Sequence, residues 1–188
     1  MTPHAAPLTT SLREDPPARP AGPNAFPPGG AQERLTDPDL VARIGEHHAA
    51  IRRALPYLVA LLAKSTGFHR HRNPKLAALC EAGEHLADRL ELRMDQEERE
   101  LFPALLAAGP LGGEVRGELD HLFRHHRRTR LDLARIRWLA DDFAVPSWAD
   151  LGYQTLMEEL AELEREELAH ASLEETALAP RIVARCAA

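Results

Sequence analysis

The chain is 188 residues long, carries a formal net charge of −6 and contains 10 histidines but only 2 cysteines. A single domain of this length buries a substantial hydrophobic core. The negative charge argues against nucleic acid as a partner, and two cysteines without CxxC spacing argue against a disulfide framework or a thiolate zinc site. No apolar run reaches the length of a signal-peptide core or a membrane span, so we expect a cytoplasmic protein with no membrane partner.

The first 36 residues differ in composition from the rest of the chain. They are rich in proline, glycine and alanine and show little apolar periodicity. Such a segment cannot bury enough surface to order itself, which predicts a disordered N-terminal tail over residues 1–36. We expect a helical domain over residues 37–183 and a short C-terminal tail over residues 184–188.

The first predicted helix begins at Asp37, with Asp37 as the N-cap and Pro38 at the first helical position. Apolar residues then recur at intervals of three, four and seven as far as Leu62. Pro56 removes a backbone donor and is expected to kink the helix. The segment Ser65–Gly67 is expected to end it.

The second and third predicted helices lie on either side of a glycine-rich turn. Asn73–Pro74 repeats the cap-and-proline signal and opens a helix that extends to about Leu101. The segment "AAGPLGG" over residues 107–113 is a turn. A third helix is expected from about Glu114 to Phe143.

The fourth predicted helix begins after a serine and continues nearly to the end of the chain. Ser147 followed by Asp150 approximates a capping box, and the helix is expected to reach about Thr176. No segment alternates apolar and polar residues as a strand would. Four long helices joined by short turns predict an all-α protein, an antiparallel up-down four-helix bundle in whose core side chains can converge on a metal.

Two segments of the chain share the pattern E-E-x-x-L-x-P, at residues 97–103 and 174–180. Four residues before the first glutamate, the second copy has His170 and the first has Arg93. Residues at positions i and i+4 lie about 6 Å apart on one helical face, so His170 and Glu174 can reach the same metal ion.

The other helices also carry histidines that could face inward. His48 lies on the apolar side of the first helix, and His121 and His125 form an i, i+4 pair on the third. His69 follows His48 by 21 residues, which is about 31 Å along an unbroken helix. Both can serve one site only if the chain turns back after Gly67.

A metal ion is the partner that would satisfy all these groups together, because buried imidazoles and carboxylates are costly without one. Five histidines and two glutamates suit two irons better than zinc, which usually closes with four ligands. The remaining histidines are interpreted as surface or otherwise satisfied residues: His4, His47, His71, His85 and His126. For His71 and His85 the alternative is a hydrogen bond to a metal ligand.

These residues resemble the hemerythrin-like, cation-binding four-helix bundles, and more narrowly the di-iron proteins that repair damaged iron–sulfur clusters (the Ric family). The resemblance is carried by "HHAAIRRALPYLVALLAK", His69 shortly after it, "EERELFP", "GPLGG" leading to "LDH", and "HASLEETALAPR". It implies two non-haem irons, a small diatomic or peroxide ligand, and iron–sulfur proteins as partners. It also implies a ligand set with terminal His48, His69, His121 and His170 and bridging Glu97 and Glu174.

The chain departs from this family in two respects. Repair proteins often carry an N-terminal cysteine-containing domain, whereas this chain has a proline-rich segment without cysteine. Arg93 also stands where the family has a histidine ligand, and a guanidinium cannot ligate iron. Three outcomes follow: one iron keeps an open position, His125 substitutes as a ligand, or the site is reduced to one metal or none while Arg93 pairs with Glu97. Arg93 could also bind an anion beside the site.

The sequence leaves three functions open. The first is a di-iron protein that removes reactive oxygen or nitrogen species or donates iron for cluster repair. The second is a module that binds oxygen or nitric oxide reversibly, without turnover. The third is a structural bundle that has lost its metal. Whether the protein is an enzyme, and its oligomeric state, stay open at this point.

Overall fold

The structure is a computed structural model that describes residues 35–188. Most of the predicted tail, residues 1–34, therefore lies outside the described range. Every regular element in residues 35–188 is helical, as predicted, and none of the helices is long and apolar enough to span a membrane. The elements are α1 (Asp37–His69), α2 (Leu76–Gln96), a first π-turn (Glu97–Leu101), α3 (Phe102–Leu106), α4 (Gly113–Leu139), a 3₁₀ turn (Asp141–Phe143), α5 (Leu151–Leu173), a second π-turn (Glu174–Leu178) and α6 (Ala179–Cys186).

Helix α1 is longer at its C-terminal end than the sequence predicts. Its N-cap is Thr36, not Asp37, because the Thr36 hydroxyl accepts a hydrogen bond from the Asp39 backbone N–H and the Asp39 carboxylate completes the capping box. The segment expected to end the helix stays helical. Within it, the Thr66 hydroxyl donates to the Leu76 carbonyl at 3.1 Å, so Thr66 ties α1 to the start of α2 instead of ending α1.

Short polar side chains mark the starts of α2 and α5, and the backbone conformation ends α4. The Asn73 side chain accepts a hydrogen bond from the Lys75 backbone N–H at 3.0 Å just before α2 begins. Helix α4 ends at Leu139, not at Phe143, because the next turn has positive φ angles of 52–62°. The N-cap of α5 is Asp150, not Ser147, and its carboxylate accepts from the Tyr153 N–H at 2.8 Å.

Each E-E-x-x-L-x-P segment forms a π-turn. The Phe102 N–H bonds to the Glu97 carbonyl, and the Ala179 N–H bonds to the Glu174 carbonyl, five residues back in each case. The proline that follows clashes with the carbonyl four residues before it in an ordinary α-helix, and the wider turn relieves that clash. The predicted end of the fourth helix near Thr176 is therefore wrong: the chain continues through the π-turn into α6. Single π-turns of this kind are common at functional sites.

The helices enclose two hydrophobic clusters with a polar layer between them. Helix α1 packs on α2 and α5, while α4 packs on α2, α5 and α6. One cluster is built from α1, α2, α4 and α5, and includes Leu55, Leu86, Leu133 and Leu156. The other lies around the π-turns and includes Ile44, Phe102, Leu122 and Leu178. The polar layer falls between them because each long helix carries polar residues at buried positions: His48, Arg93, Glu97, His126, Glu167, His170 and Glu174.

Replacing Gly83 with alanine tests the close approach of α1 and α2. A Cβ atom at Gly83 would lie 2.3 Å from Cδ1 of Leu62, which is fully buried. We expect a loss of about 1–3 kcal/mol from overpacking, more than the roughly 1 kcal/mol that alanine gains over glycine in a helix. Urea denaturation measures the free energy of unfolding.

The matched control is Gly67→Ala, because a Cβ at Gly67 in α1 meets nothing within 4 Å. This variant is expected to be as stable as the wild type or more stable. Equal stability of the two alanine variants would show that the α1–α2 contact tolerates the extra methyl group.

Candidate metal centre

The polar layer brings side chains from all four long helices and both π-turns together. His48 comes from α1, His170 from the end of α5, and Glu97 and Glu174 are the first residues of the two π-turns. One ligand atom from each of these four residues lies within 4.8 Å of every other. All four side chains are buried, with at most 2% of their surface exposed.

Short contacts connect these groups in pairs. Nε2 of His48 lies 3.0 Å from Oε2 of Glu97, and Nε2 of His170 lies 3.3 Å from Oε2 of Glu174. A fifth residue joins from α4: Nε2 of His126 lies 2.8 Å from the same Glu174 oxygen. Three imidazoles and two carboxylates therefore face one another in the core.

Several of these atoms are buried without a well-aligned hydrogen bond. They are Nε2 of His48, both carboxylate oxygens of Glu97, Oε1 of Glu174 and both ring nitrogens of His170. Leaving such groups without partners in a protein core costs free energy. Imidazole nitrogens and carboxylate oxygens are donors suited to iron and zinc. The residues present thus fit a metal ion.

The second glutamate of the first π-turn supports the first half of the centre. Oε1 of Glu98 lies 2.8 Å from Nδ1 of His48, the ring nitrogen that points away from Glu97. Arg52, one turn after His48, donates to the same Glu98 oxygen at 2.6 Å. A carboxylate on the far nitrogen fixes the ring orientation of a metal-binding histidine and raises its basicity.

The second π-turn repeats the arrangement. Oε1 of Glu175 lies 2.9 Å from Nδ1 of His126, while Nε2 of His126 faces Glu174. Arg130, one turn after His126, donates to Glu175 at 2.9 Å. The two halves of the centre therefore share one design, in which a histidine and an arginine four residues later bind the two glutamates of a π-turn.

Arg93 is the difference between the halves. It is 1% exposed and occupies the place in the first half that His170 occupies in the second, four residues before the π-turn glutamate. Its Nε lies 3.1 Å from Oε1 of Glu97 as an ion pair, without the alignment of a good hydrogen bond. Its Nη1 donates to Oε2 of Glu167 at 3.0 Å, and Glu167 is also 1% exposed. The guanidinium is thus held between two buried carboxylates.

The electrostatics of the two π-turn glutamates differ. Burial and the neighbouring Glu174 raise the pKa of Glu97. Burial acts the same way on Glu174, but His170 and His126 outweigh it and hold the pKa of Glu174 well below its ordinary value. Burial alone would lower the pKa of His48 and of His126, yet their hydrogen bonds to glutamates raise both. Protonated imidazoles and a metal ion would each neutralise the negative charge of these carboxylates. Because a histidine must lose its proton to bind a metal, metal binding would release protons.

His69 lies apart from the residues with which it was expected to act. Helix α1 does not turn back after Gly67, so His69 stands at the far end of the helix that carries His48. Its Nε2 lies 3.1 Å from Asp150, and its ring packs against Trp148 and Tyr153. The structure therefore gives His69 a role in joining α1 to the start of α5.

His121 and His125 also lie outside the group. His121 is exposed, with Nδ1 4.0 Å from Glu118. His125 is half-buried, and burial together with the charge of Arg93 lowers its pKa. The two line a small cavity of about 10 Å³ with Arg93 and Glu97. They flank the centre, and neither approaches Glu174 as His126 does.

His126 was interpreted from sequence as a surface or satisfied residue, and the structure shows it as a satisfied one, with both ring nitrogens bonded to glutamates. It is completely buried, in register with Leu122 and Thr129 on the inner face of α4. The signal that identifies it is a second repeat: "HAAIR" begins at His48 and "HRRTR" begins at His126. Each H-x-x-x-R precedes the E-E pair that it binds.

Comparison with known proteins identifies a relative of this chain. No protein-family model matches the chain. The chain is 30% identical over 138 residues to the iron–sulfur cluster repair protein YtfE of Edwardsiella ictaluri. The predicted resemblance to the hemerythrin-like repair proteins is confirmed. The match covers 73% of this chain and 62% of YtfE, so the chain spans less than two thirds of its relative.

Replacing His126 with alanine tests the assignment on α4. Because His126 contacts Glu174 directly, we expect the variant to bind ferrous iron about tenfold more weakly, or worse. Anaerobic competition with a coloured chelator measures the affinity.

His121→Ala and His125→Ala are the matched controls, since both remove an imidazole from the same helix. They are expected to keep wild-type affinity. A larger loss in either control than in His126→Ala would contradict the assignment.

Proposed function

We propose that this chain is a non-haem iron protein of the hemerythrin-like type, an antiparallel up-down bundle that acts in iron–sulfur cluster repair. The observation that supports it is the buried group of His48, Glu97, His170 and Glu174, extended by His126. The homology to YtfE supports the same conclusion. Cytoplasmic location and iron–sulfur proteins as partners belong to this proposal, as does a role under oxidative or nitrosative stress.

Each residue has a definable part in this proposal. His48, His126 and His170 offer neutral nitrogens to iron, while Glu97 and Glu174 supply negative charge. Glu98 and Glu175 orient two of the imidazoles, and Arg52 and Arg130 hold those carboxylates in place. Bound iron would supply redox chemistry and an ion that can be donated to a damaged cluster. The hydrophobic clusters on both sides restrict the access of water.

A second candidate function is reversible binding of oxygen or nitric oxide. The small cavity lined by Arg93, Glu97, His121 and His125 favours it, because the cavity joins the buried centre to an exposed residue of α4. Its volume of about 10 Å³ is roughly what one water-sized molecule needs. A cavity that reaches the buried centre would serve both cluster repair and reversible gas binding.

Repair of a damaged cluster is the direct test of the first function. The iron-loaded chain is incubated with a [4Fe–4S] enzyme whose cluster has been damaged by nitric oxide, and recovery of that enzyme's activity is measured. We expect recovery well above that given by the same concentration of free ferrous iron. Glu174→Ala is expected to abolish it, since Glu174 contacts both His126 and His170.

Glu158→Ala is the matched control, because Glu158 is an exposed glutamate on α5, the helix that leads into the π-turn of Glu174. It is expected to repair as well as the wild type. Failure of the iron-loaded wild type to repair, together with a reversible change in its optical spectrum on exposure to nitric oxide or oxygen, would favour the binding function. Equal repair by Glu174→Ala would count against both.

A further inference from the structure

The two halves of the centre share their paired glutamates, a histidine and an arginine, and differ at the residue four positions before the π-turn. In each half a histidine and an arginine one turn later bind the paired glutamates of a π-turn. A second imidazole lies four residues before the π-turn only in the half that contains His170. The half with Arg93 has a guanidinium at that place, so it supplies one imidazole fewer.

The guanidinium also lies where a second ion would need a ligand. Nε of Arg93 is 3.1 Å from Oε1 of Glu97, while Oε2 of Glu97 faces His48. In a carboxylate that bridges two ions, one oxygen binds each ion. Here one oxygen faces the ligand group and the other faces a fixed positive charge, which repels a second cation.

Glu167 explains how the chain tolerates this arginine in its core. A buried charge without a partner is strongly destabilising, and an isolated Arg93 would be such a charge. Glu167 is buried to the same degree and accepts a hydrogen bond from Nη1 of Arg93 at 3.0 Å. In the first half, Leu90 stands at the place that corresponds to Glu167, three residues before Arg93. Glu167 therefore has no counterpart in the repeat and is paired with the arginine.

We propose that the Arg93–Glu167 pair replaces the second metal ion, so that this centre holds one iron, placed among His48, Glu97, His126, His170 and Glu174. The formal charges are consistent with one iron. The charge of Arg93 neutralises that of Glu167, and the carboxylates of Glu97 and Glu174 neutralise one divalent ion. This proposal rests on the proposed iron binding, and it differs from the two-iron centre that the family resemblance implies.

The test counts iron in the full chain and in a double variant, R93H/E167Q. Both are loaded anaerobically with excess ferrous iron and desalted, and iron per chain is measured by mass spectrometry. We expect one iron per wild-type chain and two per chain of the variant. The glutamine keeps the shape of Glu167 without leaving its charge unpaired beside the new histidine.

Electron paramagnetic resonance of the oxidised protein gives an independent readout. An isolated ferric ion gives a high-spin signal, whereas two exchange-coupled ferric ions give none. We expect the signal in the wild type and its loss in the fully loaded variant. This readout on the wild type keeps the proposal testable even where the variant does not fold.

The matched control is R89H/D132N. Arg89 lies one turn before Arg93 on α2 and pairs with Asp132 of α4, so this variant breaks a comparable ion pair outside the ligand group. One iron per chain is expected in the control. Two coupled irons in the wild type would overturn the proposal and leave iron binding intact. One iron in R93H/E167Q would also overturn it, and no iron in the wild type would remove the proposed function as well.

Discussion

The structure depends on the burial of a layer of imidazoles and carboxylates between two hydrophobic clusters. Without partners these groups would oppose folding, because each loses its hydration on entering the core. The chain supplies part of the compensation through the Glu98 and Glu175 contacts to the histidine rings. The ring nitrogens and carboxylate oxygens left without well-aligned hydrogen bonds face one another, and a cation placed among them completes the compensation. A metal ion bound in this layer would therefore also stabilise the folded state.

Repetition within the chain explains how the layer is assembled. The E-E-x-x-L-x-P segments both become π-turns, which place the first glutamate inward and the second against a histidine ring. A histidine with an arginine four residues later is the partner of each pair. Arg93 interrupts this repetition at one position only. The buried carboxylate of Glu167 accepts a hydrogen bond from Arg93, so the guanidinium is paired in the core.

Much of the fold could be predicted from the sequence. The errors concern helix ends, which are decided by contacts of individual side chains. Apolar periodicity indicated the long helices, but Ser65–Gly67 and Ser147 were misread because their neighbours decide where α1 ends and α5 begins. His48, Glu97, His170 and Glu174 follow from the E-E frame and helical spacing, and the structure brings them together. His126 was left out of the predicted ligand set because His121, His125 and His126 lie close together on α4, and their spacing alone does not show which of them faces inward. Glu167 has no sequence signal until Arg93 is known to be buried.

We propose that the polar layer binds iron through these named side chains. Anomalous X-ray diffraction from crystals of the iron-loaded chain, collected on both sides of the iron absorption edge, tests it most directly. We expect one iron peak among His48, Glu97, His126, His170 and Glu174, with the Arg93 guanidinium next to Glu97 and paired with Glu167. No iron peak in the core, or iron bound at His69 or His121, would contradict it.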